Sequence, residues 1–218
     1  MSIPFQDSET AKNLLRAFAG ESQARNRYDF AANLCQKQEL QAMAFIFQAT
    51  AKQEQAHAKV FWDHLQALNG QNLPIYGAYP IEGTNRILEL LRAAQHNEHE
   101  EHGSVYPSFA AIATQEGFPE AAASFRQIAA IEQLHGERFG LLADQLESGA
   151  LFVSQIETGW MCLNCGHTQN SLEAPKQCPV CNHGQGWFIR LELAPWSPVV
   201  KQTRIKNHAA SGAASKTG

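Results

Sequence analysis

The chain has 218 residues, 44 % of them hydrophobic, and a formal net charge of −4, which is enough for a helical core and a small second module. The sequence contains no long apolar run and its start lacks the parts of a signal peptide, so we expect neither a membrane span nor export. Basic residues cluster only in the last 18 positions, which hold four of them and no acid, so we expect no nucleic-acid partner.

Four stretches show the apolar spacing of amphipathic helices. The turn residues at their ends support this interpretation: Asp7 or Ser8 is expected to cap the first helix, Gly70 to stop the second, and Thr84 to cap the third. Pro107 lies inside the third helix and should kink it or remove one backbone hydrogen bond. The predicted helices span residues 8–37, 39–69, 84–116 and 119–149.

The lengths of the connections predict the topology. The first two helices are joined by a few residues, as are the last two, so each pair should be an antiparallel hairpin. Residues 70–83 are rich in proline and glycine and can extend to about 46 Å, enough to cross the length of the bundle. One long crossover between two hairpins resembles the ferritin-like arrangement, so we predict a mainly α fold built on such a four-helix bundle.

Every predicted helix carries carboxylates within its apolar stripe, where they should point toward the core. A buried, unpaired carboxylate costs several kcal/mol, so a cluster of them requires a compensating positive charge, which we expect to be a pair of metal ions. Solvated acids on an ordinary bundle are the alternative, but such acids should not follow the apolar stripe in all four helices. The candidate ligands are Glu21, Glu54, His57, Glu98, Glu101, Glu132 and His135.

The order of these residues strengthens the interpretation. Two Glu-x-x-His pairs are weak evidence alone. However, Glu21 precedes Glu54 by 33 residues and Glu98 precedes Glu132 by 34, so one unit of two helices is repeated. Glu54 and Glu132 are expected to bridge the metals, with Glu21 and Glu98 as terminal ligands. Glu101 is either a further ligand or a hydrogen-bonded neighbour.

Several other polar or aromatic residues have less specific interpretations. Tyr28 and Tyr106 lie near the carboxylates and can donate hydrogen bonds to them, or they can serve as core aromatics. The remaining histidines of the helices are expected to be solvated or to support the ligands. These are His64, His96, His99 and His102.

After residue 149 the pattern changes to short, apolar strands at 151–161 and 186–193. They flank two Cys-x-x-Cys pairs, 12 residues apart, which together predict a tetrathiolate site for iron or zinc. Such use of cysteine favours a reducing cytoplasm over disulfide bonds. The ligands are Cys162, Cys165, Cys178 and Cys181. We therefore predict a helical domain at 1–149, a small β-rich metal-binding domain at 150–195 and a flexible basic tail at 196–218.

Six motifs together resemble rubrerythrin over about residues 8–193. They are GESQARNRY (20–28), EQAH (54–57), EHEE (98–101), YPSFA (106–110), EQLHGERF (132–139) and the CLNCG and CPVC segments of the terminal module. The resemblance implies a ferritin-like di-iron domain followed by a rubredoxin-like domain with one iron bound by four cysteines. It also implies reduction of hydrogen peroxide to water in the cytoplasm, as a defence against oxidative stress. The basic tail is not part of the family pattern.

The resemblance implies roles for the ligands and partners. His57 would replace Glu101 on one iron after reduction, and the other five helical ligands would bind in both states. Antiparallel homodimers are typical of the family, with one subunit's tetrathiolate iron serving the di-iron site of the other. Electrons would come from rubredoxin or from an NAD(P)H-dependent reductase. Two alternatives remain: a ferroxidase that handles iron, and a non-catalytic helical scaffold with a zinc ribbon.

Overall fold

A computed structural model describes residues 3–194, 196 and 197; most of the predicted tail, residues 198–218, lies outside the described residues. None of the described helices is long and apolar enough to cross a membrane. The helices are α1 (Glu9–Lys37), α2 (Gln41–His64), α3 (Ile87–Glu100), α4 (Tyr106–Glu116) and α5 (Pro119–Glu147). The strands are β1 (Val153–Cys162), β2 (Thr168–Glu173) and β3 (Phe188–Arg190).

The first helical hairpin follows the prediction closely. Ser8 caps α1, since its hydroxyl oxygen accepts a hydrogen bond from the Ala11 amide at 3.1 Å. Helix α2 ends at His64, and the chain continues as a 3-10 helix over Leu65–Leu68. Gly70 then adopts a left-handed φ of 78°, which confirms the predicted stop although the α-helix itself is shorter.

The third predicted helix differs from the expectation at its start. It begins at Ile87, and no side chain caps it, so the predicted cap at Thr84 is wrong. The Thr84 hydroxyl instead accepts from the Arg86 amide at 3.1 Å and donates to Glu89 at 2.5 Å. These local bonds hold Thr84 in the irregular connection that precedes the helix.

The same predicted helix is interrupted in the middle by a π-helical turn over Glu101–Val105, which separates α3 from α4. Pro107 lies in the first turn of α4, where the missing N–H is tolerated. The predicted irregularity near Pro107 is confirmed, but it takes the form of a wider turn before the proline. Such π turns are rare and are frequently found at functional sites.

The two hairpins are joined by a single long connection that is fastened to α1. The Tyr79 hydroxyl donates to the Arg16 carbonyl at 2.9 Å, and the Gln23 amide donates to the Pro80 carbonyl at 2.8 Å. Further along, Arg27 forms an ion pair with Glu82 at 2.9 Å. The predicted four-helix bundle with one crossover is confirmed.

The C-terminal module is a three-stranded antiparallel sheet in the order β2-β1-β3. Trp160 in the central strand pairs with Gln169 on one side and Arg190 on the other. The predicted strand at 186–193 is limited to β3 between two 3-10 turns, and β2 was not predicted. Ile189 and Leu193 extend the main core of the bundle, so the sheet packs directly against the helices.

Aromatic clusters enclose the polar centre of the bundle at both ends. On the side of the sheet, Tyr28, Phe47 and Phe139 pack with ring centroids 5.0 to 5.9 Å apart. On the other side, Phe61 lies 5.5 Å from Tyr106 and 5.2 Å from Phe125. The polar residues between these clusters are therefore shielded from water along the bundle axis.

Candidate metal centres

Six inward-facing side chains meet at one level of the bundle and form two overlapping groups. Glu54 and Glu132 belong to both groups. Glu21 and His57 complete one, and Glu98 and His135 complete the other; within each group the potential ligand atoms lie within 4.8 Å of one another. All six side chains are buried. The two shared carboxylates are the residues that the sequence predicts as bridging ligands.

Each histidine places one ring nitrogen among carboxylates. The Nδ1 atom of His57 lies 2.9 Å from Glu132 and 3.1 Å from Glu54. The Nδ1 atom of His135 lies 2.7 Å from Glu132 and 3.1 Å from Glu54. The two rings stack with their centroids 5.8 Å apart. This near-symmetry follows from the repeated Glu-x-x-His spacing on the two helices.

The other nitrogen of His135 is held by a residue that was not predicted. Its Nε2 atom lies 3.0 Å from the Gln53 side-chain oxygen, so Gln53 can accept the proton of this nitrogen and leave Nδ1 free to bind a metal. Gln53 precedes Glu54 and is exposed on α2. Because Gln53 lies on the exposed face of α2, the sequence pattern does not indicate that it contacts His135.

Buried polar atoms without hydrogen bonds indicate that the site is suited to metal ions. Six buried polar atoms here have close neighbours but no partner in hydrogen-bonding geometry: one oxygen each of Glu21, Glu54 and Glu98, both oxygens of Glu132, and Nδ1 of His135. Buried polar atoms in proteins almost always have a partner, and unpaired carboxylates are especially costly. A concentration of such atoms at one place is explained by cations between them.

Without metal, protons must balance these charges. Burial, together with the neighbouring carboxylates, raises the pKa of Glu21 and of Glu98 well above the usual value. Burial opposes a charged His57, yet the nearby carboxylates of Glu132 and Glu21 raise its pKa to about 12. Burial likewise opposes a charged Glu132, but the two nearby histidines lower its pKa to about 2.

Removing metal from the helical site is expected to make the protein less stable as the pH rises from about 5 to about 9. The pKa of Glu21 and of Glu98 is raised above 4.5, so the folded state binds more protons than the unfolded one above that pH. His57, with a pKa raised from 6.5 to about 12, acts in the same direction above pH 6.5. The pKa of Glu132 is lowered, so the stability that Glu132 contributes is constant in this range and is lost only as the pH falls toward 2.

Urea unfolding at several pH values would measure this trend. The metal-loaded protein should show the opposite trend, because its ligands bind in their deprotonated forms and the metal affinity rises with pH. Equal pH dependence of the two forms would contradict the expectation.

Two tyrosines link the carboxylates to the aromatic clusters. The Tyr28 hydroxyl donates to Glu98, and the Tyr106 hydroxyl donates to Glu21. Both rings are buried and pack against phenylalanines, so each tyrosine is a core aromatic and a hydrogen-bond donor at once. The sequence left open whether these tyrosines are hydrogen-bond donors or core aromatics, and in the structure they are both.

Replacing Tyr106 with phenylalanine is expected to weaken metal binding about tenfold to a hundredfold, as is typical when a group that orients a ligand is lost. It should also destabilise the metal-free protein by about 1–3 kcal/mol, because a buried Glu21 oxygen loses its donor. Metal titration and urea unfolding would measure these effects. Tyr76→Phe is the matched control, since the Tyr76 side chain is 86 % exposed, and an equal effect of both variants would contradict this role.

Glu101 stands apart from the other predicted ligands. It lies in the π turn, is only partly exposed, and belongs to neither group of close ligand atoms. Burial raises its pKa well above the usual value, and the charges of Glu21 and Glu98 add to the shift. The structure therefore brings His57, and not Glu101, into the cluster.

The other histidines of the helices lie away from the cluster. His64 contacts the Ser124 hydroxyl at 2.9 Å, and His102 contacts the Ala129 carbonyl at 2.8 Å. His96 and His99 are exposed. None of the four is in a group of potential ligands among the described residues.

The four paired cysteines form a second candidate centre in the sheet module. The sulfur of Cys162 lies 3.7 Å from that of Cys181, and Cys165 lies 3.6 Å from Cys178. All four are free thiols whose sulfurs lie within 4.8 Å of one another. A hydrogen bond from the His183 backbone is the largest of the influences that lower the pKa of Cys181 to about 5, which favours the thiolate needed for metal binding.

Two equivalent turns hold these cysteines. The Gly166 amide donates to the Cys162 carbonyl at 2.8 Å, and the Asn182 amide donates to the Cys178 carbonyl at 2.9 Å. Gly166 and Asn182 both have left-handed φ angles, 77° and 60°. The repeated turns bring the two Cys-x-x-Cys pairs together, as the sequence predicted.

The fold and the two centres define a class: a non-haem dimetal protein with a four-helix bundle and an attached tetrathiolate domain. Comparison with protein families agrees. Residues 12–143 match the rubrerythrin family, and residues 160–189 match the rubredoxin-like domain of rubrerythrin. The chain belongs to the rubrerythrin family.

Individual relatives support this assignment over most of the chain. Rubrerythrin of Porphyromonas gingivalis is 44 % identical over 86 % of this chain and 92 % of its own. Rubrerythrin of Nitratidesulfovibrio vulgaris is 40 % identical over 85 % of this chain and 96 % of its own. The solved structure of fully reduced, all-ferrous nigerythrin is similar with a TM-score of 0.56 and 25 % identity, covering 84 % of this chain and 90 % of that one.

Family membership confirms the predicted fold class, a ferritin-like bundle followed by a rubredoxin-like domain. It also confirms the predicted cofactors, because the family has a di-iron site and a single iron bound by four cysteines, and the structure contains both sets of donors. The chain is thus an oxidoreductase of the di-iron type. The domain limits at residues 149 and 195 stay predictions.

Proposed function

We propose that this protein is a non-haem di-iron peroxidase that reduces hydrogen peroxide to water and receives electrons through its rubredoxin-like domain. The observation that carries the proposal is the pair of histidine–carboxylate groups that share Glu54 and Glu132. A site that holds two ions side by side is suited to a two-electron reaction. The four-cysteine centre in the same chain is suited to single-electron transfer.

The proposed ligands follow from the two groups. Glu54 and Glu132 would serve both ions, Glu21 and His57 would hold one of them, and Glu98 and His135 would hold the other. Iron bound here would supply electrons and Lewis acidity for breaking the O–O bond. The tyrosine hydroxyls orient the terminal carboxylates, and the aromatic clusters on both sides exclude water from them.

We further propose that His57 and Glu101 are alternative ligands of one ion. The arrangement described above has His57 in the cluster and Glu101 outside it, as the family resemblance implies for the reduced state. The π turn supports this proposal. Glu101 is its first residue, and a π-helical turn between two α-helices can change its backbone hydrogen bonds as the Glu101 side chain moves.

Replacing Glu101 with alanine is expected to slow turnover roughly tenfold to a hundredfold while both ions stay bound, because the four shared and terminal carboxylates are intact. Metal analysis and the rate of reoxidation would measure this effect. Glu120, which is exposed in the first turn of α5 and belongs to neither ligand group, provides the control Glu120→Ala. Unchanged turnover together with unchanged coordination in the oxidised state would exclude the exchange.

The proposed partners are rubredoxin or an NAD(P)H-dependent reductase as electron donor, and a second copy of the chain in an antiparallel dimer. Cys165 is exposed, so a donor protein can approach the four-cysteine centre. In the dimer the tetrathiolate iron of one subunit would serve the di-iron site of the other. We place these reactions in the cytoplasm, where thiolate centres are preserved.

Stopped-flow mixing of the reduced, iron-loaded protein with hydrogen peroxide tests the function. The peroxidase proposal predicts oxidation whose rate rises with peroxide concentration and exceeds the rate with dioxygen. Preferential oxidation of added ferrous ions within a large hollow assembly would identify a ferroxidase. A colourless four-cysteine centre that contains zinc, with no reaction toward peroxide, would identify a scaffold.

A further inference from the structure

A cavity of about 320 Å³ lies beside the helical site, between α1, the crossover connection and the π turn. Most of its wall is apolar and comes from three separate parts of the chain. The wall includes Ala17, Ala78, Val105 and Phe109. The polar residues Arg16, Asn97 and Glu100 also border it.

The cavity is lined by two residues that are linked to the metal-binding cluster. Glu101 and Tyr106 both line it. The hydroxyl of Tyr106 donates to Glu21, so one side chain borders the cavity and contacts a proposed ligand. Glu101 lies on the neighbouring turn and is the proposed exchangeable ligand. A molecule in the cavity would therefore face the side of the cluster at which a ligand can leave.

The crossover connection holds the outer wall in place. The Tyr79 hydroxyl donates to the Arg16 carbonyl at 2.9 Å, while the Arg16 Nε donates to the Tyr76 carbonyl at 2.8 Å. The Tyr79 side chain lies over Gly20 and Gly77, where added Cβ atoms would come within 3.5 Å of its ring and 3.0 Å of its hydroxyl oxygen. The cavity is therefore a built feature with a fixed wall, and not a gap beside a loose loop.

The size and polarity of the cavity do not match hydrogen peroxide alone. A water molecule takes about 30 Å³ in the liquid, so hydrogen peroxide, with two oxygens, needs roughly twice that volume. The cavity is several times larger, within the range of small-molecule pockets. Its alanine, valine and phenylalanine side chains cannot form hydrogen bonds with a small polar peroxide, but they can pack against a hydrocarbon group.

We propose that this cavity binds the organic part of alkyl hydroperoxides, and that the protein reduces them at the same site. The inference rests on the proposed peroxidase function. In the reaction the O–O bond breaks, two electrons from the reduced site and two protons are consumed, and the products are one alcohol and one water. The apolar walls would hold the alkyl group, leaving the hydroperoxide end toward Glu101.

Kinetics with a substrate of each kind test the proposal. The measured quantity is the kcat/KM for cumene hydroperoxide divided by that for hydrogen peroxide. Ala78 is an exposed wall residue, so Ala78→Trp fills the cavity without entering the core and should lower this ratio about tenfold or more. Asn72 is exposed in the same connection but does not line the cavity, so Asn72→Trp should leave the ratio unchanged. An equal change of both substrates in Ala78→Trp would overturn the proposal.

Binding provides a readout that is independent of turnover. The full-length chain, loaded with redox-inactive zinc, would be titrated with 2-phenyl-2-propanol, the alcohol product. Methyl NMR signals of Ala17 and Val105 should shift in a saturable manner, and Ala78→Trp should abolish the shifts. No shift in the wild-type chain would overturn the proposal.

The outcomes also separate this inference from the function on which it rests. A protein that reduces neither peroxide refutes the peroxidase proposal. A protein that reduces hydrogen peroxide but not cumene hydroperoxide refutes only the inference drawn from the cavity.

Discussion

Replacing Cys178 with serine is expected to lower steady-state peroxide turnover with an external reductant by roughly two orders of magnitude, at least as much as the loss of a supporting metal contact. Cys178 is fully buried among the four clustered sulfurs, and a neutral hydroxyl is a poor substitute for a thiolate. The helical site shares no residue with this centre. It should therefore keep its metal content and still react once with peroxide after chemical reduction.

The control for this variant is the fifth cysteine. Cys35 is buried in the core of the bundle, and burial raises its pKa to about 12, so it is an inert thiol. Cys35→Ala should keep full turnover. Metal analysis and reductant-coupled assays of both variants would measure the difference, and normal turnover in Cys178→Ser would remove the four-cysteine centre from the electron path.

Replacing Glu132 with glutamine is expected to empty both positions of the helical site. Glu132 belongs to both ligand groups, and its oxygens lie 2.9 Å from His57 and 2.7 Å from His135. A neutral amide of the same size would take the place of the one carboxylate charge that both ions share. In the metal-free protein it also leaves two buried imidazolium groups short of a carboxylate, which should destabilise folding by about 3 kcal/mol or more.

A carboxylate in an exposed ion pair provides the comparison. Glu147 near the end of the same helix contacts Arg92 at 2.7 Å, and the Glu147 side chain is 61 % exposed. Glu147→Gln should change stability by about 1 kcal/mol or less and leave the metal content unchanged. Metal analysis and urea unfolding would distinguish the two variants. Retention of two ions per chain by Glu132→Gln would exclude Glu132 as a bridging ligand.

The helical frame was largely predictable, because helix periodicity and caps are local properties of the chain. Single residues and their neighbours predict a cap at Asp7 or Ser8, of which the structure uses Ser8, and the left-handed stop at Gly70. The cap at Thr84 failed because its hydroxyl bonds to Glu89 and to a nearby amide before the helix begins. Strand β2 was missed because its sequence is polar, and its pairing with β1 depends on a partner outside the segment.

By itself the sequence determined which charged residues lie on the apolar stripe of each helix and that four cysteines can surround one ion, because spacing along a helix or in a turn sets the direction of a side chain. Only the tertiary structure decided which inward groups meet. It placed His57 inside the cluster and Glu101 outside it, brought Gln53 to His135, and left a cavity under Tyr79. These relations depend on the π turn and on how the crossover lies against α1, and such distances across the bundle are set by packing between remote segments, not by local periodicity.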